Sequence, residues 1–284
     1  MDTTENELRA LRKELDEFRN ENIALYNELT KQNKTLCEEI ISLRQENLSL
    51  IKAIGKNDVV LDKKIDALIS FCANKHLYVY LIRLAGMQTA AFIAEHMKKV
   101  KAFNTREEHL KYALSQAEEK PFGRRLYMEF GVFEGQSINL ISSALPDKII
   151  YGFDSFEGLP ENWREGFMKG EFNRQGKLPQ VNENVRLVKS WFNETLPAFV
   201  KEHSEPCAFI HIDCDLYSST KTVLDLLRDQ IVPGTVISFD EYYNYPGWQE
   251  DGEYKAFNHF VAENNVEFEY VARSELGQVS IKIK

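Results

Sequence analysis

The chain has 284 residues, 43% of them hydrophobic and 12% aromatic, enough for one core of ordinary size plus an appendage. Its net charge of −9 and pI near 5.3 exclude a general nucleic-acid binder, which needs a basic surface for phosphate contacts, and suit a protein that holds a cation. The four scattered cysteines, Cys37, Cys72, Cys207 and Cys214, form no Cys-x-x-Cys pair, which points away from a zinc site or a disulfide framework and toward a reducing cytoplasm.

The first 54 residues carry a heptad seam with one stutter: Leu8, Leu11, Leu15, Phe18, Asn22, Leu25, Leu29, Asn33, Leu36, Ile40, Leu43, Asn47, Leu50 and Ile54. No Pro or Gly interrupts the stretch before Gly55, so a helix of roughly 70 Å is allowed at about 1.5 Å per residue. Asn at a-type positions is best satisfied by its own copy across a parallel, in-register pair. The expectation for 1–55 is therefore a parallel homodimeric coiled coil, the alternative being a solvated charged helix. Helical patterns follow over 60–75, 77–102 and 105–119. The stretch from Leu77 to Val100 carries Arg83, Glu95, Lys98 and Lys99, so it reads as an amphipathic helix and not as a membrane span.

After Pro121-Phe122-Gly123, strands and helices alternate in the pattern of an α/β fold with a parallel sheet. Strands are expected near 126–130, 149–154, 185–189, 207–213, 233–239, 266–272 and 278–283, with helices over 135–145, 192–202, 218–229 and 252–264. The polar stretch Glu161 to Glu183 shows no period. It reads either as a lid over a cleft or as an ordinary loop.

Acidic residues end three of these strands: Asp154, then Asp213 and Asp215, then Asp240 with Glu241. Ligands of open α/β sheets lie at the carboxyl ends of strands, so these carboxylates are expected in one cleft. Oxygen donors without cysteine select Mg²⁺, Mn²⁺ or Ca²⁺. The alternative is pairing with Lys or Arg, and only Lys221 and Arg228 are near in sequence, both expected on an outer helix. His211 could orient a ligand or be a satisfied core residue. Upstream, Gly131 and Gly135 flank a sharp strand-to-helix turn in which Phe133 replaces the middle glycine of a dinucleotide fingerprint. Asp154 stands where an acid commonly meets ribose hydroxyls, although a turn or cap role is the alternative. A glycine turn, a ribose acid and no phosphate cradle suggest S-adenosylmethionine.

Met-Glu-Phe-Gly-Val-Phe-Glu-Gly, Gly-Phe-Asp-Ser-Phe-Glu-Gly-Leu-Pro-Glu, Trp-Phe-Asn-Glu-Thr-Leu-Pro, His-Ile-Asp-Cys-Asp-Leu-Tyr-Ser-Ser-Thr and Phe-Asp-Glu-Tyr together resemble the TylF-type (macrocin O-methyltransferase) family over residues 120–272. These are metal-dependent class I methyltransferases acting on sugar hydroxyls. The resemblance implies a seven-stranded Rossmann-like sheet with helices on both faces. It places Glu129, Gly131 and Glu134 around the methionine part of S-adenosylmethionine, Asp154 and Ser155 at the ribose, and Ser190 with Trp191 at the adenine. It assigns Asp213, Asp240 and Glu241 to Mg²⁺, with Mn²⁺ as the substitute, and Asp215 to the base. Ser190 stands where Gly is common, and Asp-Glu where relatives often have Asp-Asp.

The expected organisation is thus a coiled-coil segment (1–55), a helical substrate or dimer-interface region (56–120) and a methyltransferase domain (121–284), in a cytoplasmic homodimer that methylates a sugar-containing or glycan acceptor, with room for a glycan-assembly partner, no nucleic acid and no membrane span. The rival readings are a glycosyltransferase using Asp213-Cys214-Asp215 as a metal-diphosphate motif, and a coiled-coil scaffold with an inactive α/β domain.

Overall fold

The computed structural model describes residues 76–117 and 123–284, plus isolated positions 28, 31, 35, 39 and 42, which are helical and exposed. Apart from these positions, the predicted coiled coil of 1–55 and the predicted helix over 60–75 lie outside the described residues. Contacts divide the chain into two compact units, Met1–Tyr80 and Leu81–Lys284, and the second holds the sheet.

The elements from residue 76 onward are α1 (His76–His96), β1 (Lys101–Phe103), α2 (Arg106–Ser115), β2 (Leu126–Phe130), α3 (Gln136–Ala144), β3 (Ile150–Asp154), β4 (Val185–Lys189), α4 (Phe192–Glu202), β5 (Cys207–Ile212), α5 (Tyr217–Leu226), a 3₁₀ turn (Arg228–Gln230), β6 (Val236–Phe239), α6 (Gly252–Asn264), β7 (Phe268–Ser274) and β8 (Val279–Ile283). They form one sheet in the order β1-β7-β8-β6-β5-β2-β3-β4. All pairings are parallel except those of β8, which runs antiparallel to β6 and β7. This is a Rossmann-like α/β sheet.

Every residue of β2, β5 and β6 is buried, which is why these strands read as continuous apolar runs: a parallel sheet is covered on both faces. Alternation still sorts the side chains. Ile210 and Ile212 of β5 join the core on one face with Phe130, Phe153 and Leu224, while Phe209 joins the other with Tyr127, Ile138 and Ile141.

The sheet has eight strands where seven were expected. The additional strand is β1, whose Lys101, Ala102 and Phe103 pair with Ala272, Arg273 and Ser274 of β7. The helix expected over 77–102 stops at His96, and a turn follows in which the Val100 N–H bonds the Met97 carbonyl at 3.0 Å. Three residues are too few to display a strand period, so the helical pattern before them masked the strand. Thr105 then caps α2, its hydroxyl oxygen accepting the Glu108 N–H at 3.2 Å while the hydroxyl donates to the Glu108 carboxylate at 3.0 Å. This cap makes Arg106 the first residue of α2.

At the carboxyl ends of the central strands the ladder runs one residue further. The N–H groups of Gly131, Asp213 and Asp240 bond the carbonyls of Phe153, Phe130 and Ile212 at 3.0, 2.8 and 2.9 Å. Each loop therefore begins beside its neighbour, at a position fixed by backbone.

Candidate functional site

The turn from β2 into α3 needs glycine where it crosses β5. Gly131 has φ 92°, and a Cβ there would lie 1.8 Å from the Asp213 carbonyl oxygen. Asp154, ending β3, holds this turn from the other side. Its Oδ2 accepts the N–H groups of Val132 and Phe133, both at 2.8 Å, and its Oδ1 accepts that of Phe156 at 2.6 Å. Most of the carboxylate's acceptor capacity is thus used within the chain, although Asp154 also lines the adjoining cavity.

That cavity has a volume of 580 Å³, within the ordinary range of about 300–1,000 Å³ for small-molecule sites. Gly131, Asp154, Ser155 and Trp191 line one part of it, and Asp213, Asp215, Asp240 and Glu241 another. The structure sets three other sequence-derived residues apart from it. Glu129 is the fourth residue of a fully buried strand and has no exposure; it accepts from the Ser137 hydroxyl at 3.1 Å and meets His211 Nδ1 at 3.0 Å. Glu134 points to the surface, 3.7 Å from Arg174. Ser190, at φ 153°, donates its hydroxyl to the Glu194 carboxylate, and it is Glu194 that reaches the cavity wall.

The segment from Glu161 to Glu183 folds back over the same space. Its Trp163, Arg164, Phe167 and Phe172 line the cavity, and the Arg164 guanidinium stacks 4.0 Å from the Trp163 ring centre and 5.0 Å from that of Tyr245. None of these was singled out from sequence, because an aperiodic stretch gives no inward face to read.

Arg106 was also missed, and it changes the electrostatics most. Its guanidinium donates to Asp213 Oδ2 and lies with Nε 2.6 Å from Asp240 Oδ1, close but poorly aligned for a hydrogen bond. Burial disfavours its charge, yet Asp213 and Asp240 together hold its pKa above the ordinary arginine value. The same logic applies to His211: burial opposes protonation, but the Asp240 carboxylate 3.9 Å away and the Glu129 carboxylate hydrogen-bonded at 3.0 Å raise its pKa to about 10. His211 is thus the satisfied core histidine of the two expected roles, buried and bonded to Glu129, with its protonated form favoured by the carboxylates around it. Lys221 and Arg228 pair with Asp225, Glu263 and Asp229, outside the cluster.

The carboxyls still outnumber these cations. Burial and then the charge of Asp240 raise Asp213 to about 7, and burial and then Asp213 raise Asp215 to about 8. Glu241 is pushed well above the usual carboxylate range by burial and Asp240, and Glu253 by burial and Asp215. Asp240 alone is held low, against burial, by His211 and Arg106. Glu241 Oε2 and Glu253 Oε1 are buried without a hydrogen-bond partner among the described residues. Ligand atoms of His211, Asp213 and Asp240 lie within 4.8 Å of one another, though a protonated imidazole leaves only the two carboxylates as donors. Hard, undercompensated oxygens suit a divalent cation; Arg106 stands among them.

Residues 128–242 match a family model described as a methyltransferase domain, a span that includes the glycine turn, Asp154 and all four acids of the cleft. Over that span the chain is similar to methyltransferase domains. One curated relative is 8-demethyl-8-(2,3-dimethoxy-alpha-L-rhamnosyl)-tetracenomycin-C 4'-O-methyltransferase of Streptomyces olivaceus, 27% identical over 40% of this chain and 52% of that protein. Another is demethyldecarbamoylnovobiocin O-methyltransferase of Streptomyces niveus, 26% identical over 45% of this chain and 57% of the relative. The chain thus spans little more than half the length of these curated relatives. Among solved structures, the O-methyltransferase NovP superposes over 62% of this chain and 78% of its own with a TM-score of 0.46 at 21% identity. Among the described residues, no helix is long and apolar enough to cross a membrane, and the described cysteines, Cys207 and Cys214, are free and buried.

Proposed function

We propose that the protein is an S-adenosylmethionine-dependent O-methyltransferase that methylates a hydroxyl of a sugar or glycosylated acceptor with the help of a divalent cation, Mg²⁺ or Mn²⁺. The observation that carries this reading is one cavity, within the span similar to methyltransferase domains, shared by the glycine turn with Asp154 and Ser155 and by four carboxyls at the ends of β5 and β6. The acceptor class follows from the two curated relatives, the first of which is named for a rhamnosyl substrate. The same match covers Asp213-Cys214-Asp215, which favours this reading over a glycosyltransferase. The TylF-type assignment, the coiled-coil homodimer and a cytoplasmic location belong to the same proposal.

The residues divide the work by chemistry. Gly131 lets the backbone approach closely, Asp154 fixes the turn, and Ser155 and Trp191 border the cofactor's space. Bound S-adenosylmethionine would supply an electrophilic methyl group and a cation held by Asp213, Asp240 and Glu241 a Lewis acid, neither of which the side chains themselves provide. Asp215 is the general base. A sugar hydroxyl holds its proton tightly, and Asp215, which lines the cavity beside Asp213, offers a carboxylate to receive it. Trp163, Phe167 and Phe172 exclude water and offer faces for a sugar ring.

Calorimetry tests the proposal most directly. S-Adenosylhomocysteine should bind with one site per chain, and a panel of sugar-containing acceptors with labelled cofactor and Mg²⁺ should yield a labelled product that excess EDTA suppresses. Heat from nucleotide sugars and none from S-adenosylhomocysteine would favour the glycosyltransferase reading instead.

A further inference from the structure

Resting on the cation-dependent reading, the geometry points to Arg106 as the occupant of the cation position itself: we infer that its guanidinium and a divalent ion exclude one another between Asp213 and Asp240. Arg106 contacts both carboxylates through Nη2 and Nε, on the oxygens that face each other across the ends of β5 and β6. A metal needs the same oxygens, and a guanidinium and a divalent cation cannot share them without strong repulsion at that separation.

The arginine is delivered by a rigid mount. β1 is hydrogen-bonded to β7, Thr105 caps α2, and one turn further His109 is buried against the Ser280 hydroxyl at 3.1 Å. The backbone of Arg106 is therefore held by the sheet, while its side chain is 37% exposed and faces the cavity. A long side chain on a fixed base can withdraw into that space without any rearrangement of the fold.

What remains after withdrawal favours replacement by a higher charge. Asp213, Asp215, Asp240, Glu241, Glu253 and Glu129 surround a position whose other cations are His211 and, beside Asp215, Arg164. Buried oxygens of Glu241 and Glu253 have no hydrogen-bond partner among the described residues even with Arg106 in place. A single positive charge leaves the cluster short, so the arginine acts as a resident counter-charge that keeps the carboxylates together until an ion takes them. Metal affinity is then lowered by the fraction of molecules in which Arg106 holds the site.

Mn²⁺ titration of the full chain, followed by electron paramagnetic resonance with S-adenosylhomocysteine calorimetry as a check on folding, tests this without recourse to turnover. Arg106→Gln should bind Mn²⁺ tighter than the native chain by on the order of tenfold, with S-adenosylhomocysteine affinity within about twofold. Native chain that takes up no Mn²⁺ while Arg106→Gln does would support the exclusion equally. The same Mn²⁺ affinity in a folded Arg106→Gln and in the native chain would overturn it and leave the cation-dependent reading standing. No Mn²⁺ binding by either protein would remove both. Should Arg106→Gln fail to fold, Arg106→Lys carries the test: an ammonium is a point charge that cannot span both carboxylates, so Mn²⁺ should still bind tighter than in the native chain, and equal affinity would refute the inference.

Discussion

The two parts of the cavity are built on opposite principles. Around Asp154 the chain satisfies itself: one carboxylate gathers three backbone N–H groups and the glycine turn is held before any ligand arrives. Around Asp213 the chain leaves itself unsatisfied: burial raises carboxyl after carboxyl, orphaned oxygens remain, and a distant arginine is recruited as counter-charge. The first arrangement preorganises a binding surface; the second stores electrostatic demand that an ion or a reacting hydroxyl can meet. Gly131 joins them, because the residue that turns beside Asp154 is also the one that rests on the Asp213 carbonyl.

Removing the proposed base should separate the two halves most sharply. Asp215→Asn keeps the volume of a side chain that is 8% exposed and removes its basicity, so turnover should fall on the order of 10²–10⁴-fold, the ordinary contribution of a positioned general base. S-Adenosylhomocysteine affinity should stay within about twofold in the same protein. Loss of both together would mean that the halves do not work independently.

Two buried histidines on the acidic side provide the next largest effect. His211 is held charged, whereas burial lowers His109, one turn along α2 from Arg106, to about 4, with His211 also opposing its protonation and Asp240 favouring it. A histidine with a lowered pKa binds fewer protons folded than unfolded, so its contribution is complete above the unfolded value near 6.5 and is lost as pH falls toward 4. The loss amounts to about 3 kcal/mol. Urea unfolding at pH 7 and pH 4.5 should show a smaller drop for His109→Gln than for the native chain; equal drops would place the acid sensitivity elsewhere. Smaller still is the loss expected for Asp154→Ala, which strands three N–H groups: S-adenosylhomocysteine affinity should fall by on the order of 10–100-fold, against little change in Asp213→Ala.

The strand ends were the most legible part of the site in sequence. β2, β4 and α4 have the expected bounds, and the acids at the strand ends lie together because buried parallel strands announce themselves as unbroken apolar runs. Glu129 lies apart from the cavity because it stands within β2 and meets a neighbouring strand's side chain, here His211, whereas the acids that line the cavity stand at or beyond the ends of their strands. Arg106 was out of reach for a different reason. Counter-charges were sought near Asp213 in the chain, but the one the fold provides is 107 residues away, delivered by a three-residue strand with no pattern of its own.

The segment from Glu161 onward bridges the two halves, and the weakest predicted effect concerns its attachment. Glu161 accepts the Ser218 hydroxyl at 2.5 Å, tying the segment to the start of α5 just beyond the acidic cluster. Both residues are exposed, so the bond should contribute no more than about 0.5 kcal/mol to stability. Its kinetic influence differs, since a surface tie that holds a segment over a cavity acts on escape and not on the depth of the bound state. Glu161→Ala should leave the urea midpoint nearly unchanged and speed S-adenosylhomocysteine dissociation about twofold in stopped-flow chase experiments. An unchanged dissociation rate would make the segment an ordinary wall of the cavity, because a segment that gates release cannot lose its tie to the acidic half without opening more often.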